Sequence, residues 1–126
     1  MKILLTGATG YIGKRLLPQL VDMGHEVVCS VRDRNRFSAP EALKDKVTVI
    51  EVDFLKAATT ENIPADIDAA YYLMHSMSTT SSYEKMERQV AENFSAAMSA
   101  RQVTQVIYLS GIVNEQSLSK HLSSRK

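Results

Sequence analysis

A short strand, a turn built on three glycines and an amphipathic run open this chain. The strand is Lys2-Ile3-Leu4-Leu5-Thr6, the turn is Gly7-Ala8-Thr9-Gly10-Tyr11-Ile12-Gly13, and the run continues towards Met23. Strand, glycine turn and helix in immediate succession are the chemistry of a dinucleotide pyrophosphate site. Glycines let the backbone come close to phosphate, where a Cβ would stand in the way. The helix that follows aims its free N–H groups and its positive dipole end at the anion. The context carries more weight than the glycines alone, because the pattern follows a strand and opens a helix.

The rest of the chain keeps alternating. Helix one is expected from Tyr11 to about Met23, with Ile12, Leu16 and Leu20 on one stripe. Pro18 lies inside it, where it removes a hydrogen bond and should bend the helix. Gly24 ends it as a C′ residue. Strand two, Glu26 to Val31, is apolar on both faces, as a strand covered from both sides should be. A polar stretch with a short helix starting at Pro40 leads to strand three, Val47 to Val52. A crossover closed by Pro64 leads to strand four, Asp68 to Met74. After a Ser/Thr loop comes the longest helical pattern, Tyr83 to Arg101. Its stripe is Tyr83, Met86, Val90, Phe94, Ala97 and Met98, and Ser81 with Glu84 forms a capping box. Strand five is Gln105 to Leu109. This alternation predicts an α/β fold of Rossmann type: a doubly wound parallel sheet in the order 3-2-1-4-5, ending soon after strand five.

Bulk properties narrow the function classes. At 126 residues the chain is one domain, and 44% hydrophobic with 23% charged residues is ordinary soluble composition. A net charge of +1 gives no electrostatic basis for a nucleic-acid partner. The single cysteine, Cys29, cannot form an internal disulfide and reads as a small buried residue. The apolar stretch Ile3 to Leu5 is too short for a signal peptide or a membrane span, so a cytoplasmic protein without a membrane partner or a metal is expected.

With these elements placed, the chain resembles the short-chain dehydrogenase/reductase superfamily. It is most similar to the extended and atypical members of nucleoside-diphosphate-sugar-epimerase type. The matching pieces are TGATGYIG at 6–13, GHEVVCSVRD at 24–33, VDF at 52–54, VAENFSAAMSA at 90–100 and VIYLSG at 106–111. They are colinear and span nearly the whole chain. The resemblance implies an NAD(P)-binding domain whose phosphate turn comprises Thr6, Gly7, Thr9, Gly10, Tyr11, Ile12 and Gly13. Members that prefer NAD carry an acid at the end of strand two. Here Val31 holds that place and Arg32 follows, which favours NADP(H) over NAD(H), since an arginine pairs with a 2′-phosphate. Arg34 and Arg36 stand close in sequence; a solvated loop and a cofactor role remain open for both.

The resemblance also implies an adenine contact at Asp53 and Phe54, with a helix-cap role for Asp53 equally open. Leu73, Met74 and His75 end strand four, beneath the cofactor. Ser110 matches the serine that orients substrate in catalytic members. Their Tyr-x-x-x-Lys acid/base pair has no counterpart, because no tyrosine follows Tyr108. Three readings therefore stand: the cofactor domain of an oxidoreductase or epimerase-like protein acting on an unknown small molecule, a non-catalytic dinucleotide-sensing module, and an interaction fragment with a vestigial site. A homo-oligomer is also expected, through strand five, whose Val106 to Leu109 would be a sheet edge, or through the long helix.

Overall fold

The computed structural model describes residues 1–73 and 81–108, with only the backbone given for Arg36 and residues 81–83. Its elements follow the expected alternation: β1 (Lys2–Thr6), α1 (Tyr11–Asp22), β2 (Glu26–Val31), β3 (Val47–Glu51), β4 (Ala69–Tyr72), α2 (Ser81–Ala100) and β5 (Gln105–Tyr108). Short 3₁₀ helices at Arg34–Arg36, Glu41–Lys46 and Ala57–Asn62 fill the connections around β3. The five strands form one sheet in the order β3-β2-β1-β4-β5, and every pairing is parallel.

Side-chain alternation on the central strands builds two cores. Leu4, Val28 and Ala70 pack with Phe54, Phe94 and Met98 on the α2 side. Ile3, Leu5, Val27 and Cys29 pack with Leu17 and Leu20 on the α1 side. The connection after β1 thus leaves towards one face and the helix after β4 covers the other. The strand order reverses between β1 and β4, and at such a switch point sheets of this kind accept ligands outside the carboxyl ends of the strands.

The inward face of α1 differs from the expected stripe. Gly13, Leu17, Leu20 and Val21 are buried, Leu16 is half-buried, and Ile12 is 37% exposed. The phase is set by Gly13. Only a residue without a side chain can sit against the Gly7 carbonyl, so position 13 must face the turn, and 17, 20 and 21 follow it round the helix. The helix runs through Pro18 and ends in a Schellman arrangement. Gly24 takes φ +89°, its N–H reaches Val21 O at 3.0 Å, and the His25 N–H reaches Leu20 O at 3.2 Å.

On α2 the expected stripe engages the sheet from Val90 onward, whereas Met86 is 42% exposed. A 20-residue helix is about 30 Å long, and the four-residue strands beneath it span about 13 Å, so its first turns overhang. The helix begins at Ser81, two residues before the expected Tyr83; the proposed capping box rests on the Ser81 side chain, which lies outside the described residues. β4 is shorter than expected. Leu73 has already left it, and Met74 lies outside the described residues.

Cys29 is fully buried, and burial pushes its thiol up from the ordinary 9.0 to about 12. The native state therefore favours the neutral thiol. That contribution is fully present below pH 9.0 and is lost as pH rises towards about 12. At neutral pH, iodoacetamide should label Cys29 far more slowly in the native protein than in the urea-unfolded chain, as read by mass spectrometry. Equal rates would show that the thiol is accessible.

Candidate functional site

The three glycines of the turn have three different physical reasons. Gly7 sits at φ +69°, a left-handed conformation that side chains rarely adopt, and a Cβ there would also meet the Leu73 Cβ at 3.0 Å. At Gly13 an added Cβ would lie 2.2 Å from the Gly7 carbonyl oxygen and 2.8 Å from Ala8 Cα, so this glycine lets α1 start against the turn. Gly10 is different. Its φ of −80° and ψ of 174° suit any residue, and among the described residues a Cβ would meet only the Gly7 oxygen, at 3.4 Å. Nothing among the described residues asks for glycine at position 10.

The backbone around Gly10 is arranged for an anion. Gly10 N–H bonds to Gly7 O and Lys14 N–H to Gly10 O, both at 3.0 Å. This leaves the N–H groups of Tyr11, Ile12 and Gly13 without an acceptor among the described residues. The N-cap position supplies no side-chain bond, and the first turn holds no acidic residue. Thr9, Gly10 and Tyr11 are exposed. Among the described residues nothing compensates the positive end of the α1 dipole.

Thr6 stands beneath the turn and acts on it indirectly. It is fully buried, and its hydroxyl donates to Tyr71 O at 2.7 Å and accepts from Leu73 N–H at 3.2 Å. This one side chain ties β1 to β4 where their ladder ends. Leu73, 8% exposed, backs Gly7 from the other side.

At the end of β2, Arg32 is exposed, and its guanidinium meets no carboxylate among the described residues. The acids beside it are engaged. Asp33 accepts from Asn35 N–H at 2.9 Å, capping the 3₁₀ helix Arg34–Arg36, and Glu51 accepts from Arg34 N–H at 3.1 Å. The side chain of Arg36 lies outside the described residues. At the end of β3, Asp53 accepts from Leu55 N–H at 3.0 Å, which makes it a turn cap in addition to whatever else it contacts. The Phe54 ring is 3% exposed and packs edge-on against Phe94 at 5.7 Å between centroids, so the ring belongs to the core. Asn93 on α2 holds this turn, donating to Phe54 O at 2.6 Å. Met74, His75 and Ser110 lie outside the described residues.

The parallel register places the glycine turn, Thr6, Leu73 and Arg32 at the same, carboxyl end of the sheet. The sequence reading passed over Arg15, which stacks on Tyr11 with its guanidinium carbon 3.6 Å from the ring centroid. The spacing of four residues on one helix was the available signal.

Comparisons with known proteins agree with this geometry. A family described as NAD(P)H-binding matches residues 7–125. A nucleoside-diphosphate-sugar epimerase from Staphylococcus aureus superposes with a TM-score of 0.70 at 21% identity, over 99% of this chain and 47% of that one. The yeast methylglyoxal/isovaleraldehyde reductase Gre2, complexed with NADPH, gives 0.72 at 17% identity, over 88% of this chain and 37% of that one. The photosystem II assembly factor Ycf39 of a Synechocystis species is 36% identical over 75 residues, 56% of this chain and 22% of that protein. The chain thus spans less than half the length of these relatives.

Proposed function

Because the chain belongs to the NAD(P)H-binding family, we propose that it is the dinucleotide-binding unit of an epimerase- or reductase-like protein and that it favours NADP(H) over NAD(H). The observation that carries the binding role is Gly10, a glycine that neither its own dihedral angles nor its internal neighbours require. A diphosphate lying over Gly10 would accept hydrogen bonds from the free N–H groups of Tyr11, Ile12 and Gly13 and neutralise the helix end. Its adenosine half would extend over the ends of β2 and β3, and its nicotinamide half towards β4 and β5. When bound, the nicotinamide supplies hydride chemistry. The residues described here bind and orient it.

The preference for NADP(H) rests on Arg32. The place where a ribose-binding acid would stand is Val31, 6% exposed and apolar, and Asp33 already caps a 3₁₀ helix. Arg32 projects into solvent beside them and suits a 2′-phosphate. The NADPH-bound reductase among the structural neighbours is consistent with this preference. Arg32→Ala should weaken NADPH binding by about 1.5–3 kcal/mol, roughly ten- to hundredfold, and leave NADH nearly unchanged. Calorimetric titration with both cofactors checks it. Equal losses for the two would show that Arg32 does not read the 2′-phosphate.

A further inference from the structure

Arg15 has no role in the account so far, yet its placement is unusual. It lies in the second turn of α1, and helical side chains lean towards the N-terminus, so its head group reaches back to the first helical residue. There the guanidinium carbon sits 3.6 Å from the centroid of the Tyr11 ring, and Nη1 lies 3.5 Å from the Tyr11 carbonyl oxygen. Tyr11 itself is 72% exposed. No carboxylate among the described residues pairs with Arg15.

The electrostatics run against this arrangement in the free protein. A cation beside the positive end of a helix dipole is disfavoured, and this helix end has neither an acid nor a capping side chain to offset it. What holds the guanidinium there is the face of an exposed aromatic ring, together with a long hydrogen bond to the Tyr11 carbonyl. An aromatic shelf that keeps a cation, with no carboxylate partner among the described residues, at the first turn of a helix whose leading N–H groups have no acceptor among those residues is suited to an anion that arrives from outside.

We infer that Arg15 is a further phosphate-binding residue, presented by Tyr11, and that it acts on the diphosphate common to NADP(H) and NAD(H). This rests on the dinucleotide reading above. The position separates its role from that of Arg32: Arg15 belongs to the helix whose N–H groups face the diphosphate, whereas Arg32 stands at the end of β2. The N–H groups supply partial positive charge in fixed directions. Arg15 supplies a full charge on an arm that can leave the ring and close over a phosphate oxygen.

The test is titration of the purified protein with NADPH and with NADH, alongside thermal melts. Arg15→Gln should weaken both ligands by the same factor, about three- to tenfold, with little change in melting temperature. Tyr11→Ala should weaken both in the same direction by a smaller factor, because the arm loses its shelf. Lys14→Gln, the same charge change one residue away, should leave both affinities nearly unaltered. The inference is overturned if Arg15→Gln leaves both affinities intact, lowers only that for NADPH, or lowers the melting temperature alone, as a helix-surface pair would. If the unmodified protein binds neither ligand, the dinucleotide reading itself falls, and this inference with it; binding by the unmodified protein with an unaltered Arg15→Gln variant sinks only the role of Arg15.

Discussion

Gly13→Ala should cost about 3 kcal/mol of stability, a fall of roughly 2 M in the urea midpoint at a slope of about 1.5 kcal/mol/M. The methyl group would lie 2.2 Å from the Gly7 carbonyl oxygen and 2.8 Å from Ala8 Cα. Both are backbone atoms, so no side chain can swing aside to make room. Relief requires α1 to move away from the turn. That movement would also pull Leu17, Leu20 and Val21 off the sheet, since they share the helix face with Gly13. The loss should therefore appear as a cooperative shift of the whole unfolding transition. An unchanged midpoint would mean that the turn and helix are less closely apposed than described.

Gly10→Val should do the reverse: leave the protein folded and remove dinucleotide binding. Position 10 already has dihedral angles open to any residue, and among the described residues a Cβ there touches only the Gly7 oxygen, at ordinary range. The stability change should stay within about 1 kcal/mol, the scale of replacing glycine at a helix N-cap. The isopropyl group would occupy the space in front of the Tyr11, Ile12 and Gly13 N–H groups. Affinity for NADPH should fall at least about a hundredfold, or about 2.8 kcal/mol. Unfolding in urea together with calorimetric titration separates the two glycines. Unaltered binding by Gly10→Val would place the phosphate site elsewhere.

The two glycines look alike in the sequence, three residues apart in one motif, and only the folded structure distinguishes them. One is glycine because a side chain would strike the turn; the other is required by no contact among the described residues, and the proposed diphosphate is what would require it. The same division runs through the rest of the site. Thr6, Asp53 and Phe54 were singled out by position in a family pattern. The structure shows a Thr6 hydroxyl spent on Tyr71 and Leu73, an Asp53 oxygen spent on Leu55 N–H, and a Phe54 ring spent on the core. Arg32 was singled out in the same way and is the one that remains exposed and unpaired among the described residues.

What the sequence determined by itself was the order and kind of the elements, the parallel sheet β3-β2-β1-β4-β5, and the glycine turn at its first crossover. Those are local signals: apolar runs, helical periodicity and turn glycines within a few residues of one another. What only the tertiary structure decided was the rotation of α1 about its axis and the commitments of the polar groups. The phase of α1 depends on a clash between residues 13 and 7 that exists only once strand and helix are folded together. Thr6 meets its partners 65 and 67 residues away, and Asn93 meets Phe54 across 39. No spacing along the chain carries such pairings; they follow from a parallel sheet, which brings the carboxyl ends of distant strands to one edge and makes each polar group there settle between the fold and a ligand.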